Sequence, residues 1–145
     1  MFLLAAMLLA ANCFGQPFGT WNLNAGRSSF AGDIRPKSLT VRIQPRAGRE
    51  IVTVDRTEAS DQATSCSMIL YLDGVARRFQ RGECSGTQLS RRIDAQTIEV
   101  LRNCGAGAWI RFLRRTVQKE QLVLEISEQR ADGRRFDRRL VFEKQ

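Results

Sequence analysis

The sequence predicts an all-β fold, a closed antiparallel up-and-down β-barrel of eight to ten strands. Apolar residues alternate with polar ones at a period of two through most of the chain, which places one face of each segment in a core. Turn signals interrupt that alternation at hairpin spacing, and no segment carries the 3.6-residue period of an amphipathic helix. A chain of 145 residues supports one domain with one substantial core. Closure follows because an open meander of this length would leave long unpaired edges.

The elements read in order as follows. Residues 1–16 are expected to be a signal peptide: Met1 to Ala11 is almost wholly apolar, and Cys13 and Gly15 supply small residues before a cut at Gln16. That run is shorter than the roughly 20 residues a transmembrane helix needs. Lipid anchoring at Cys13, within Leu9 to Cys13, is a minor alternative. The domain proper is taken as 17–145. It opens on Phe18 to Asn24, where Gly19 allows a tight turn and Trp21 buries a large ring, both in structural roles. Ala25 to Lys37 reads as a loop or a single turn. Strands are expected where Leu39, Val41 and Ile43 alternate with polar residues, then over Glu50–Arg56, Ala63–Leu72, Val75–Gln80, Thr87–Ile93, Thr97–Asn103, Ala108–Val117, Leu122–Gln129 and Arg134–Glu143. Asp73-Gly74 is a hairpin signal between the third and fourth of these.

The formal charge is +8, and of the 23 basic residues only Lys37, Lys119 and Lys144 are lysines. Such a balance suits nucleic acid, anionic polysaccharide or acidic lipid, or simply a solvated barrel exterior. Export and the lack of an RNA-recognition signature argue against nucleic acid. With no histidine in the chain, Ser-His-Asp triads, Cys-His pairs and HExxH metal sites are excluded. Asp55 with Glu58 and Glu125 with Glu128 read as salt-bridged surface carboxylates. No catalytic residue, metal or cofactor is expected. Tyr71, the single tyrosine, is assigned to core or rim packing. Outside the leader lie Cys66, Cys84 and Cys104. An oxidising compartment permits one bridge among them. With strands running alternately up and down, all three lie near one rim; Cys84 with Cys104 is slightly favoured over Cys66 with Cys84, and a one-residue change of register would reverse the choice.

Hairpin register bears on the arginines. A three-residue loop Ala131-Asp132-Gly133 pairs Arg130 with Arg134 and sets Leu122, Leu124 and Ile126 opposite Phe142, Leu140 and Arg138. A four-residue loop Gln118 to Gln121 then pairs Val117 with Leu122 and Arg115 with Leu124. Arg115 and Arg138 share the apolar face in that reading, while Glu125 stands outside between Arg114 and Arg139.

Gly19-Thr20-Trp21, the strand meander and the closing Val141-Phe142-Glu143-Lys144 resemble the calycin superfamily, the lipocalins and fatty-acid-binding proteins. The nearest likeness is to small secreted lipocalin-like proteins of soil bacteria, over Pro17 to Gln145. Three departures from the fatty-acid-binding proteins stand out: Ala25 to Lys37 is too short for their helical lid, and Leu140 and Phe142 replace the Arg-x-Tyr of their carboxylate site. The resemblance implies that Trp21 packs beneath Arg135, Arg138 or Arg139, and that Arg115 occupies an inward arginine position ahead of Leu122-Val123-Leu124. The expected function is a secreted or periplasmic, non-catalytic carrier of a small, largely apolar and possibly acidic ligand, held by Arg115, Arg138, Trp109, Leu124, Leu140 and Phe142. No stable membrane insertion after cleavage and no nucleic-acid partner are expected, and oligomeric state is not legible. The competing reading is a surface protein with a filled core that adheres to anionic polymers through its arginines.

Overall fold

A computed structural model describes residues 16–32, 35–118 and 120–145. The expected leader and Cys13 fall outside them, Gln16 excepted. Ten strands form one antiparallel, strongly curled sheet: β1 Gly19–Leu23, β2 Ser38–Arg46, β3 Arg49–Thr57, β4 Ala63–Leu70, β5 Arg77–Arg81, β6 Cys84–Arg92, β7 Thr97–Gly105, β8 Ala108–Val117, β9 Gln121–Gln129 and β10 Arg135–Lys144. Between β1 and β2 lies a single 3-10 turn, Ala25–Arg27, capped by the Asn24 side chain, which accepts from the Arg27 N–H.

Strand order across the sheet is β4-β3-β2-β1-β10-β9-β8-β7-β6-β5. The first and last strands therefore pair in the middle of the sheet, with Trp21 opposite Lys144, and the edges are β4 and β5, which follow each other in sequence. Asp73-Gly74 does not make the expected hairpin between them. The Leu72 N–H donates to the Ser90 hydroxyl at 2.9 Å and the Gly74 N–H to the Ser90 carbonyl at 2.8 Å, so the connection docks on β6 instead. The Asp73 carboxylate accepts from the Val75 N–H and clasps Arg77 at 2.7 Å, a local turn that competes with ladder formation.

Alternation places Val41 and Ile43 of β2, Val52 of β3, Leu70 of β4, Ile98 and Val100 of β7, Leu122 and Ile126 of β9, and Leu140 and Phe142 of β10 in one core. Trp21 is fully buried at the end of this core. Its Nε1–H donates to the Pro17 carbonyl at 2.8 Å. The cation over the ring is the Lys144 ammonium, 5.6 Å from the centroid, and not one of the three arginines expected there; Arg135 lies 5.2 Å over Trp109 instead. Gly19, at φ 125°, passes beneath the same lysine, where a Cβ would come within 3.1 Å of Lys144 Cε.

The β9–β10 register is the expected one, with Leu122 opposite Phe142, Leu124 opposite Leu140 and Ile126 opposite Arg138. Gly133 closes its loop at φ 86°. The β8–β9 register differs by one residue. Val117 pairs with Gln121, Thr116 with Leu122, Arg115 with Val123 and Arg114 with Leu124. The loop holds three residues, and Gln118 takes the left-handed conformation at φ 58°. Because strand side chains alternate, one residue of slip exchanges the faces. Arg114 points inward and Arg115 is exposed on the outer surface, so Glu125 stands opposite Arg139 and Leu113 without Arg114.

A disulfide joins Cys84 and Cys104, leaving Cys66 as a free thiol. The register between β6 and β7 brings Gly86 against this bridge, and a Cβ there would lie 1.9 Å from the Asn103 carbonyl oxygen. Only glycine fits.

Candidate functional site

Inside the sheet lies a cavity of about 260 Å³. Its walls are mainly aliphatic: Val41 and Ile43 from β2, Val52 and Val54 from β3, Met68 and Leu70 from β4, Ile98 and Val100 from β7. Phe112, Leu122, Leu124 and Phe142 complete the apolar lining. Each comes from the inward parity of its strand, so the alternation that builds the core also builds the cavity.

Three arginines reach this space: Arg81, Arg102 and Arg114. Arg114 carries its own counter-ion. Its Nη2 donates to Glu50 Oε1 at 2.9 Å and its Nη1 stands 2.7 Å from Glu50 Oε2, outside hydrogen-bonding geometry. Both side chains are buried.

Arg102 has no carboxylate partner among the described residues. Its Nε donates to Gln88 Oε1 at 2.7 Å and its Nη2 lies 3.4 Å from Met68 Sδ. The guanidinium is held between two phenyl rings, 4.4 Å from the Phe79 centroid and 4.8 Å from that of Phe112. Burial, and secondarily the charge of Arg81, push its pKa down to about 10, which still leaves it protonated at neutral pH. Arg81, on the edge strand β5, donates from Nη1 to Cys66 Sγ at 3.2 Å and from Nη2 to the Ser67 carbonyl at 3.4 Å. Both arginines thus span the seam between β4 and β5.

Of the residues expected to hold a ligand, Leu124 and Phe142 line the cavity. Leu140 is buried in the core beside it. Trp109 sits half-buried near the start of β8 under Arg135. Arg138 has the expected register, and its Nη2 donates to Glu128 Oε2 at 2.8 Å. Arg115 lies on the opposite surface. The sequence reading missed Arg81, Arg102, Arg114, Glu50 and Cys66 as cavity or near-cavity groups. Two were legible by parity: Ile98 and Val100 place Arg102 inward, and Val52 and Val54 do the same for Glu50.

On the outer face, Glu99 accepts from Arg91 Nε at 2.7 Å and Arg111 Nε at 2.6 Å, and its side chain is 3 % exposed beneath those two long stems. Burial pushes its pKa up, but the two guanidinium groups overcome that and hold it below the ordinary value. Tyr71 is half-buried against two cations, with Arg77 3.8 Å and Arg49 4.6 Å from its centroid. Among the described residues no helix is long and apolar enough to cross a membrane.

No protein-family model and no curated protein matches the sequence. Solved structures do match. The chain is similar to the crystal structure of the wild-type fluorescent protein UnaG, with a TM-score of 0.59, 15% identity and coverage of 88% of this chain and 96% of that one. A point mutant of UnaG matches with the same TM-score, 14% identity and coverage of 88% and 95%. At such identity the likeness concerns backbone architecture alone. Ten antiparallel strands in one curled sheet around an internal cavity, matched over nearly the whole of UnaG, show that this chain shares the fold of that protein.

Proposed function

We propose that the protein is a non-catalytic carrier or sensor that takes a small, largely apolar ligand into the cavity, and that it works outside the cytoplasm, secreted or periplasmic. The cavity is the observation that carries this reading. Its aliphatic lining offers a ligand burial worth about 25 cal/mol per Å² of apolar surface. At about 260 Å³ it lies at the small end of ligand sites, which suits a single alkyl chain or a compact ring system. A barrel that adheres to anionic polymers needs no interior space, so the cavity weighs against that alternative.

Two further observations support the reading. The Cys84–Cys104 disulfide belongs with an oxidising compartment. The two buried carboxylates among the described residues, Glu50 and Glu99, are each held by arginine, so neither is poised as a general base. The test is titration with a neutral solvatochromic dye such as Nile red, alongside a Leu124→Trp variant that fills the cavity. Blue-shifted, saturable emission in the parent and its loss in the variant are expected. No saturable binding by the parent would reject the carrier reading.

A further inference from the structure

Every cation that reaches the cavity sets a charge problem, and the structure solves it in two ways. Arg114 is answered by Glu50. Arg81 and Arg102 have no carboxylate among the described residues, although Arg102 is largely withdrawn from water and stands close enough to Arg81 for the two charges to repel. Two phenyl faces, an amide, a thioether and a thiol surround them. Those groups soften the burial of a guanidinium without neutralising it. Two like charges side by side at the wall of an apolar cavity are relieved by one shared anion.

We propose that Arg81 and Arg102 form an anion site at the β4–β5 seam, where the acid group of an otherwise apolar ligand sits while its apolar body fills the cavity toward Phe142 and Ile43. This rests on the carrier reading and fixes the ligand's polarity and orientation. The acid lies at the seam, near Cys66, and the apolar end lies toward Trp21. It moves recognition away from Arg115, which faces solvent, and from Arg138, which already pairs with Glu128. The seam is suited to this role because β4 and β5 share no ladder there. An anion can approach both guanidinium groups without breaking a backbone hydrogen bond.

The experiment compares decanoate with decan-1-ol, equal in chain length and different in charge, as competitors of Nile red in the oxidised protein. Decanoate should compete at least about tenfold better than the alcohol. Arg102→Gln and Arg81→Gln should each remove most of that preference by weakening the acid far more than the alcohol, and Arg115→Gln should leave both unchanged. Bound decanoate should also slow alkylation of Cys66 by N-ethylmaleimide, read by peptide mapping, because the acid sits beside that thiol. Arg81 is exposed, so its variant remains informative if Arg102→Gln fails to fold. Equal competition by acid and alcohol overturns the anion site but spares the carrier reading. Inorganic phosphate protecting Cys66 as well as decanoate does would overturn the amphiphile, leaving a site for small ions. Absence of any binding by dye and alcohol rejects the carrier reading and this inference with it.

Discussion

Arg114 on β8 meets Glu50 on β3 across the barrel interior, 2.9 Å from Nη2 to Oε1, although 64 residues separate them in the chain. Removing one member leaves the other charged and buried. Glu50→Ala should therefore lower stability by about 3–5 kcal/mol. Replacing both with apolar residues of similar volume, as in Glu50→Leu with Arg114→Met, should cost far less or stabilise. Urea denaturation of the two single variants and the double variant checks this: additive losses would show that the pair is not coupled.

Trp21→Ala should destabilise the protein by about 3–5 kcal/mol, since it deletes a fully buried ring, the donor to Pro17 and the platform under Lys144. An unchanged melting temperature would rule out the anchoring role.

Glu99 makes stability depend on pH in a definite direction. Its folded-state pKa lies below its ordinary value of 4.5, so its pairing with Arg91 and Arg111 is fully expressed above that value and is lost as pH falls through the folded pKa. Parent and Glu99→Gln should differ in stability near neutrality and converge in acid. Denaturation series from about pH 7 to about pH 3 read this out, and a constant gap would show that protonation of Glu99 contributes nothing.

The oxidised protein should show one reactive thiol within residues 17–145 after denaturation, that of Cys66. Replacing Cys84 and Cys104 with serine should cost about 3 kcal/mol, the scale expected for a bridge closing a loop of this length, here a separation of 20 residues. Gly86→Ala should also be costly, because the methyl group meets the rigid Asn103 carbonyl and not a movable side chain.

The strand meander and the β9–β10 register were legible because each rests on local chemistry: period-two alternation and a glycine at the left-handed loop position. The Cys84–Cys104 bridge was only slightly favoured over Cys66 with Cys84, because all three cysteines were placed at one rim and the choice turned on register. The β8–β9 register was not legible. Both parities of β8 carry large apolar residues, with Ile110 and Phe112 on one side and Trp109 and Leu113 on the other, so alternation could not choose. The inward Arg114 is matched by Glu50, a partner 64 residues away that a strand read by itself does not reveal. Asp73-Gly74 misled for the opposite reason: its turn chemistry is real, but Ser90 supplies better partners than a hairpin would.

The pairing of β1 with β10 has a bearing on how the chain assembles. The sheet consists of two meanders, β1 to β4 and β5 to β10, joined by the terminal strands and not where the chain passes from one to the other. Bringing Trp21 to Lys144 closes a loop spanning most of the domain, at an entropic cost on the order of 3 kcal/mol beyond that of a minimal turn, whereas every other strand pairing closes through a far shorter connection. Each meander can form from local contacts, and their union must wait for the last strand to be available. A circular permutant opened between Gly74 and Val75, with a short linker from Gln145 to Gln16, would make β10–β1 one more hairpin. It would turn the slowest contact into a local one and leave the two seam strands as free ends, which should speed folding while retaining the cavity.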